Sequence, residues 1–172
     1  KYLLYIGRLE TKKNVLNLIK AYKKTSRKWP LVLGGRPGNY GYDEIEKMCQ
    51  AENVKEDILL LGYVSQANYP TLMASASGFV FPSKFEGFGL PVLEAMASGV
   101  PVVCSNISAL KEVAEESALY FDPDDIEDIK NKIEIIFNNQ EQRSDLRQKG
   151  LERAKQFSWS KVARQTLDYI LE

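Results

Sequence analysis

The sequence predicts an α/β fold, a Rossmann-like three-layer sandwich built on a six-stranded parallel sheet with extra C-terminal helices. Three observations predict it. Short apolar runs alternate with longer segments of helical period as far as Phe121. Each apolar run has the length of a buried strand, and most runs are flanked by Gly, Pro or Asp. After Asp122 and Pro123 only segments of helical period follow.

The predicted elements alternate along the chain, strand then helix. Strands are expected near Tyr2 to Ile6, Leu31 to Leu33, Ile58 to Leu61, Gly78 to Phe81, Val100 to Cys104 and Leu119 to Phe121. The helices between them are expected near Lys13 to Lys24, Asp43 to Ala51, Asn68 to Ser75, Leu90 to Ser98 and Ala109 to Glu115. A helical tail from about residue 124 follows, with helices near Ile126 to Asn138, Gln140 to Gln156 and Ser158 to Leu171.

The last helix carries an apolar stripe, and Ser158 is in position to cap its N-terminus. The stripe consists of Trp159, Val162, Ala163, Leu167 and Ile170. It needs a partner surface, which is either this domain's own sheet or a further domain.

Composition limits the function classes. The 172 residues fit about one domain with a sizeable core. The 44% hydrophobic and 27% charged residues are close to the soluble globular average, which excludes a disordered or fibrous protein. Lys plus Arg equals Asp plus Glu at 23 each, so the chain lacks the basic excess that nucleic-acid and membrane-surface binding use. Any phosphate contact is therefore expected to be local.

Some catalytic and binding classes are excluded by missing residue types. The sequence contains no histidine, which excludes a Ser-His-Asp or Cys-His unit and any histidine-bearing metal site within this chain. Cys49 and Cys104 form no CxxC pair, so we expect two small buried residues in a reducing compartment. No apolar run approaches the roughly 18 residues of a membrane helix. The chain starts without Met inside its first predicted strand, which we interpret as a segment of a longer protein.

The loop after the first strand carries two cations, Arg8 and Lys13, close to the start of a helix. Ligands of open parallel sheets bind beyond the carboxyl ends of the strands, and Gly7 allows close backbone approach there. Cations are unfavourable at a helix start unless an anion is bound, so their position favours an anion site. Solvated surface charge would explain the same residues.

The loop after the fourth strand is rich in glycine. Gly87 and Gly89 straddle Phe88 and leave backbone N–H groups free, and Pro91 is tolerated in the first turn of the helix that follows. A helix N-terminus under such a loop is suited to phosphate.

Two carboxylates, Glu86 and Glu94, accompany this loop and could face one cleft. A carboxylate only accepts hydrogen bonds, so a pair of them suits sugar hydroxyls or a ribose. The alternative is a glycine-rich turn with two incidental glutamates.

The segment EGFGLPVLE, from Glu86 to Glu94, continues as AMASGVPVV and resembles the signature of the retaining GT-B glycosyltransferases of family 4. The Gly7-Arg8 pair followed by Lys13 is similar to that family's diphosphate-binding loop. The segment from Ser108 to Val113 falls where the family's next βα loop is expected. The resemblance extends through Phe157-Ser158-Trp159, nearly the whole chain.

This resemblance implies that residues 1–172 are the C-terminal donor-binding domain and that an N-terminal acceptor domain lies outside them. Arg8 and Lys13 would contact the diphosphate, Glu86 would lie at the donor sugar and take part in catalysis, and Glu94 would hold the ribose hydroxyls. Backbone N–H groups around Gly89 and Leu90 would contact phosphate. The resemblance implies further donor-binding positions at Gly7, Val64, Gly87 and Phe88.

The base is expected near Gly62-Tyr63-Val64, with Arg36 as a stacking partner, although a glycine-rich surface turn equally explains residues 34–41. One departure from the family pattern is Asn14, which stands where a glycine commonly follows the lysine.

The implied reaction transfers a hexose such as mannose from a GDP- or UDP-sugar to a glycan or lipid-linked acceptor. It would proceed without metal or cofactor, on the cytoplasmic side. Glu86 would either attack the sugar covalently or stabilise a front-face substitution, and the resemblance favours the second. Peripheral membrane contact would come from the other domain, and the 172 residues alone should bind nucleotide weakly and transfer nothing. Two alternatives remain. One is a starch or glycogen synthase or a sucrose-metabolising relative, and the other is a non-catalytic module that binds nucleotide sugar or packs against a partner.

Overall fold

The computed structural model, which describes residues 1–51 and 54–171, contains a six-stranded sheet in the order β3-β2-β1-β4-β5-β6. All strand pairs are parallel. The strands are β1 Leu3–Ile6, β2 Leu31–Gly34, β3 Ile58–Gly62, β4 Gly78–Phe81, β5 Val102–Ser105 and β6 Ala118–Phe121. The predicted fold class is confirmed.

Helices follow the strands as predicted. They are α1 Val15–Lys23, α2 Tyr42–Cys49, α3 Tyr69–Ala74, α4 Leu90–Ala97, α5 Ser108–Ala114, α6 Ile126–Asn138, α7 Gln140–Ala154 and α8 Trp159–Leu171. Short 3₁₀ turns lie at Thr11–Lys13 and Glu115–Ser117. The loop before α5 consists only of Asn106 and Ile107, so the segment from Ser108 to Val113 is helix and not loop.

Several boundaries differ from the prediction by one or two residues, and two of them have a clear local cause. β5 begins at Val102 rather than Val100, because Pro101 has no N–H to donate to the neighbouring strand. Lys13 lies in a 3₁₀ turn rather than in α1, because Asn14 is in the left-handed region with φ 59° and the α-helix starts after it.

The strand order places β1 and β4 side by side at the centre of the sheet. Leu3 pairs with Leu31 of β2 on one side and with Gly78 of β4 on the other. The chain runs outward from β1 to β3, returns to β4 and then runs outward in the opposite direction to β6. The chain therefore turns in opposite directions after β1 and after β4, and a crevice opens between the two strands at the carboxyl edge of the sheet.

The core lies on both faces of the sheet, as expected for parallel strands. Tyr5, Phe79 and Phe81 are buried, and their rings stack with centroid distances of 6.3 Å for Tyr5 and Phe81 and 5.9 Å for Phe79 and Phe81. Cys49 and Cys104 are free and buried, as predicted. Burial raises the pKa of the Cys49 thiol to about 11, so this side chain behaves as a small apolar residue.

Helix α8 lies apart from the core. None of its residues is buried, and Trp159 is 78% exposed. The prediction that Ser158 caps the helix is confirmed, since its Oγ accepts a hydrogen bond of 3.1 Å from the N–H of Lys161. The apolar stripe does not pack on the sheet of this domain, so that alternative is wrong. No described helix combines the length and the apolar character that crossing a membrane requires.

Gly35 provides a test of how closely the ends of β1 and β2 approach. A Cβ atom added to Gly35, whose φ is +150°, would lie 1.8 Å from the carbonyl oxygen of Gly7, and backbone cannot move aside cheaply. Gly35→Ala should lower the free energy of unfolding by at least about 3 kcal/mol, measured by urea denaturation. Gly87→Ala is the control, because a Cβ there meets nothing within 4 Å. Equal stability of the two variants would contradict the described strand ends.

Candidate functional site

The loops after β1 and β4 enclose one cleft of about 490 Å³ at the carboxyl edge of the sheet. Seven of the residues predicted from sequence line it, namely Gly7, Arg8, Lys13, Glu86, Phe88, Gly89 and Leu90. Glu10, Lys12, Phe81 and Pro91 complete the lining. Two loops that are distant in sequence therefore converge on one cavity that carries both basic and acidic groups.

A contact between Lys13 and Glu86 joins the two loops. The Nζ atom of Lys13 donates a hydrogen bond of 2.6 Å to Oε1 of Glu86, and the two side chains are only 19% and 14% exposed. A second link is a backbone hydrogen bond of 3.4 Å from the N–H of Lys84 to the carbonyl of Lys12. Charge-assisted hydrogen bonds are stronger than neutral ones, so the side-chain contact is the main connection across the cleft.

The β1 loop is held from below by Tyr5. Its hydroxyl donates a hydrogen bond of 2.8 Å to the carbonyl of Arg8, and the N–H of Gly7 donates one of 3.0 Å to the carbonyl of Gly34. Burial, and then the charges of Glu86 and Glu10, raises the pKa of Tyr5, so the hydroxyl stays a donor. The Arg8 side chain is exposed, and no described residue pairs with it. Its guanidinium is available to an anion that enters the cleft.

Asn14 accounts for the departure from the family's glycine. Its φ of 59° lies in the left-handed region, which asparagine tolerates better than most residues. Its side-chain amide also donates a hydrogen bond of 2.7 Å to the carbonyl of Pro123. The turn that a glycine would permit is formed here, and it is anchored to the segment before α6.

The N-terminus of α4 points into the cleft. Gly89 has φ 103°, and a Cβ on it would lie 2.4 Å from Cδ2 of Leu110, so both conformation and space favour glycine there. Among the described residues, the N–H groups from Gly87 to Leu90 donate to no backbone carbonyl. These free donors and the positive end of the helix dipole suit an anion.

Glu94 lies outside this cleft. It lines an adjoining groove of about 500 Å³ with Leu93, Phe157 and Trp159, among other residues. Its Oε2 accepts a hydrogen bond from the hydroxyl of Tyr69 on α3. The two glutamates therefore line neighbouring cavities, which share Phe88 and Leu90, rather than one cavity.

The ends of β2 and β3 bring Arg36, Tyr63 and Val64 to the same edge of the sheet. The guanidinium carbon of Arg36 lies 4.3 Å from the centroid of the Tyr63 ring, a cation–π contact between two exposed side chains. A Cβ on Gly34 would lie 3.0 Å from Cγ2 of Val64. The residues predicted to lie near the base are therefore grouped at the ends of β2 and β3.

Sequence reasoning missed three residues that shape the site. Tyr5 supports the β1 loop, and Tyr69 holds Glu94. Glu10 is buried at 5% exposure, and its Oε1 lies 3.3 Å from Nζ of Lys12. Each of these residues acts through a contact with another element or within an irregular loop. The periodicity of the sequence does not predict such contacts, which is why sequence reasoning missed them.

The family profile described as Glycosyl transferases group 1 matches residues 1–153. O-antigen chain mannosyltransferase B of Escherichia coli is 40% identical over 171 residues, a match covering 97% of this chain and 45% of that protein. The chain therefore spans less than half the length of this relative.

Two solved structures share the fold. HepE from Anabaena, in complex with UDP and glucose, superimposes with a TM-score of 0.90 at 20% identity, covering 98% of this chain and 47% of that one. The C-terminal domain of the glycosyl transferase group 1 family protein LpcC from Francisella tularensis gives a TM-score of 0.80 at 26% identity. That match covers 91% of this chain and 85% of that one.

The contact between Lys13 and Glu86 can be tested by its effect on stability. Lys13→Met should lower the free energy of unfolding by about 1–3 kcal/mol, because it leaves the half-buried Glu86 without its donor. Lys149→Met is the control, since the pair of Lys149 with Asp145 is close to half exposed on both sides and should contribute little to stability. Urea denaturation measures both. Losses of the same size would mean that Lys13 and Glu86 are not in contact in solution.

Proposed function

Because the chain belongs to the family of glycosyl transferases group 1, we propose that it is the donor-binding half of a retaining glycosyltransferase. The transferred group is a hexose, with mannose favoured by the 40% identity to an O-antigen chain mannosyltransferase. The donor is a nucleotide diphosphate sugar, and the acceptor is a glycan or a lipid-linked glycan.

The observation that carries this proposal is the contact of Lys13 with Glu86. It brings the basic β1 loop, the acidic residue of the β4 loop and the free N–H groups of α4 around one cavity. A sugar bound to a diphosphate has a strongly anionic part next to a neutral ring with hydroxyl groups. The cleft offers cations and N–H donors for the first, and a carboxylate for the second.

In the proposed complex, Arg8 and Lys13 bind the diphosphate together with the N–H groups of Gly89 and Leu90. An ammonium group has three donors, so Lys13 can keep its bond to Glu86 and still contact phosphate oxygens. Breaking the bond between the anomeric carbon and phosphate builds negative charge on the diphosphate. A cation about 4 Å from that charge attracts it with an energy on the order of 4 kcal/mol at an effective dielectric of 20. Each stabilisation of about 1.4 kcal/mol that acts only in the transition state raises the rate tenfold.

Glu86 is proposed to stabilise the sugar ring as positive charge develops on it. Lys13 orients its half-buried carboxylate, which would lie at the border of the proposed diphosphate site. The proposed reaction is a front-face substitution in which the departing diphosphate stays next to the ring. It requires no cofactor, and the cations and helix dipole of the cleft would take the place of a metal ion.

The acceptor site is proposed to lie in an N-terminal domain outside these residues. The proposal is supported by the match to only 45% of the length of the Escherichia coli mannosyltransferase. We place the transfer on the cytoplasmic side, with any peripheral membrane contact made by the other domain.

Titration with nucleotides tests this function. We expect at least one of UDP, GDP and ADP to bind the 172-residue chain, measured by calorimetry. Arg8→Ala should weaken that binding roughly tenfold to a hundredfold, since a hydrogen bond to a charged group contributes about 1.5–3 kcal/mol. Binding of the corresponding nucleoside should change little.

The control variant is Lys149→Ala, which removes a cation paired with Asp145 on α7 and should leave both affinities unchanged. Equal losses of nucleoside and diphosphate affinity in Arg8→Ala would contradict the assignment of Arg8 to the diphosphate. Absence of binding by all three nucleotides would contradict the proposal as a whole.

A further inference from the structure

Tyr69 connects two elements on which the proposed donor site depends. It is the first residue of α3 and follows the β3 loop that carries Tyr63 and Val64. Its backbone N–H donates a hydrogen bond of 2.9 Å to the carbonyl of Ser65, so the start of α3 is tied to that loop. Its hydroxyl reaches across to α4 and donates to Oε2 of Glu94.

The hydroxyl of Tyr69 restricts the orientation of the Glu94 carboxylate by donating a hydrogen bond to it. The Glu94 residue is otherwise exposed, and a glutamate side chain has several rotamers of similar energy in a helix. Burial, and then the hydrogen bond and charge of Glu94, raises the pKa of Tyr69, so the phenol stays protonated and remains a donor at neutral pH. A hydrogen bond to a carboxylate from a half-buried phenol selects one orientation of that carboxylate.

We propose that Tyr69 is a positioning residue that holds the Glu94 carboxylate in the orientation that receives the two ribose hydroxyls of the donor. This inference rests on the proposed function, in which Glu94 binds the ribose. An ionised carboxylate has about four acceptor positions on two oxygens. Tyr69 occupies one of them on Oε2, which leaves Oε1 and the second position on Oε2 for a pair of neighbouring hydroxyls.

The same contact also relates the ribose to the base. Because Tyr69 follows the β3 loop directly, the carboxylate is positioned by the segment that is proposed to lie beside the base. A shift of that loop would move the tyrosine hydroxyl and with it the preferred orientation of Glu94. The β3 loop, Tyr69 and Glu94 would thus bind the base and the ribose of the donor together, rather than through two independent contacts.

The test uses Tyr69→Phe, which keeps the ring and removes only the hydroxyl. The probes are the nucleoside diphosphate that binds best among UDP, GDP and ADP, and its 2′-deoxy counterpart, both measured by calorimetry. We expect Tyr69→Phe to weaken the binding of the ribose compound roughly threefold to tenfold, as for the loss of one hydrogen bond. The deoxy compound should change less, so the preference for ribose shrinks.

Further variants separate positioning from packing. Glu94→Gln should reduce the ribose preference, and adding Tyr69→Phe to it should cause no further loss, since the two residues act as one unit. Tyr120→Phe is the control, because it removes a half-buried tyrosine hydroxyl that donates to the carbonyl of Glu115 and should leave the preference unchanged.

Three outcomes overturn the proposal. If Tyr69→Phe weakens both nucleotides equally, or neither, Tyr69 does not position Glu94 for the ribose. If Glu94→Gln removes the preference while Tyr69→Phe keeps it, only the positioning role fails and the proposed role of Glu94 stands. If the wild-type chain shows no ribose preference, the role of Glu94 and that of Tyr69 fail together.

Discussion

The hydrogen-bonded ion pair of Lys13 with Glu86 is the interaction on which the geometry of the cleft depends. It connects residues 73 positions apart in sequence, across the point where the strand order of the sheet reverses. The loops after β1 and β4 would otherwise diverge, since their helices pack on opposite sides of the crevice. The pair brings them together while it leaves Arg8 and the N-terminus of α4 without described partners.

Close backbone contacts connect the ends of β1, β2 and β3 beside the cleft. The N–H of Gly7 bonds to the carbonyl of Gly34 at 3.0 Å, and that of Gly35 bonds to the carbonyl of Gly62 at 2.7 Å. A side chain on Gly35 would displace the β1 loop, because its Cβ would lie 1.8 Å from the carbonyl oxygen of Gly7. Rigid strands thus place the backbone, and the charged side chains that extend from it define which ligand fits.

Much of this architecture follows from local sequence information. The six strands and their helices were predictable because apolar runs and helical periods are properties of neighbouring residues. The sequence places Lys13 and Glu86 at the same edge of the sheet, since both residues follow strands whose carboxyl ends meet there. It does not predict the contact between the two side chains. The exposure of α8 was not predictable from the sequence. An apolar stripe shows that a helix needs a partner surface, but it does not show which surface that is. The contact of Tyr69 with Glu94 depends on the spacing of α3 and α4, which no local pattern encodes.

The central claim is that the cleft between the β1 and β4 loops binds the diphosphate of a nucleotide. Nuclear magnetic resonance tests it most directly, because a 19.5 kDa chain gives resolved backbone amide spectra. On addition of UDP, GDP or ADP, whichever binds, the account predicts that the largest shifts are those of Gly7, Arg8 and the amides from Gly87 to Leu90. Shifts confined to α6 and α7, with these amides unmoved, would contradict it.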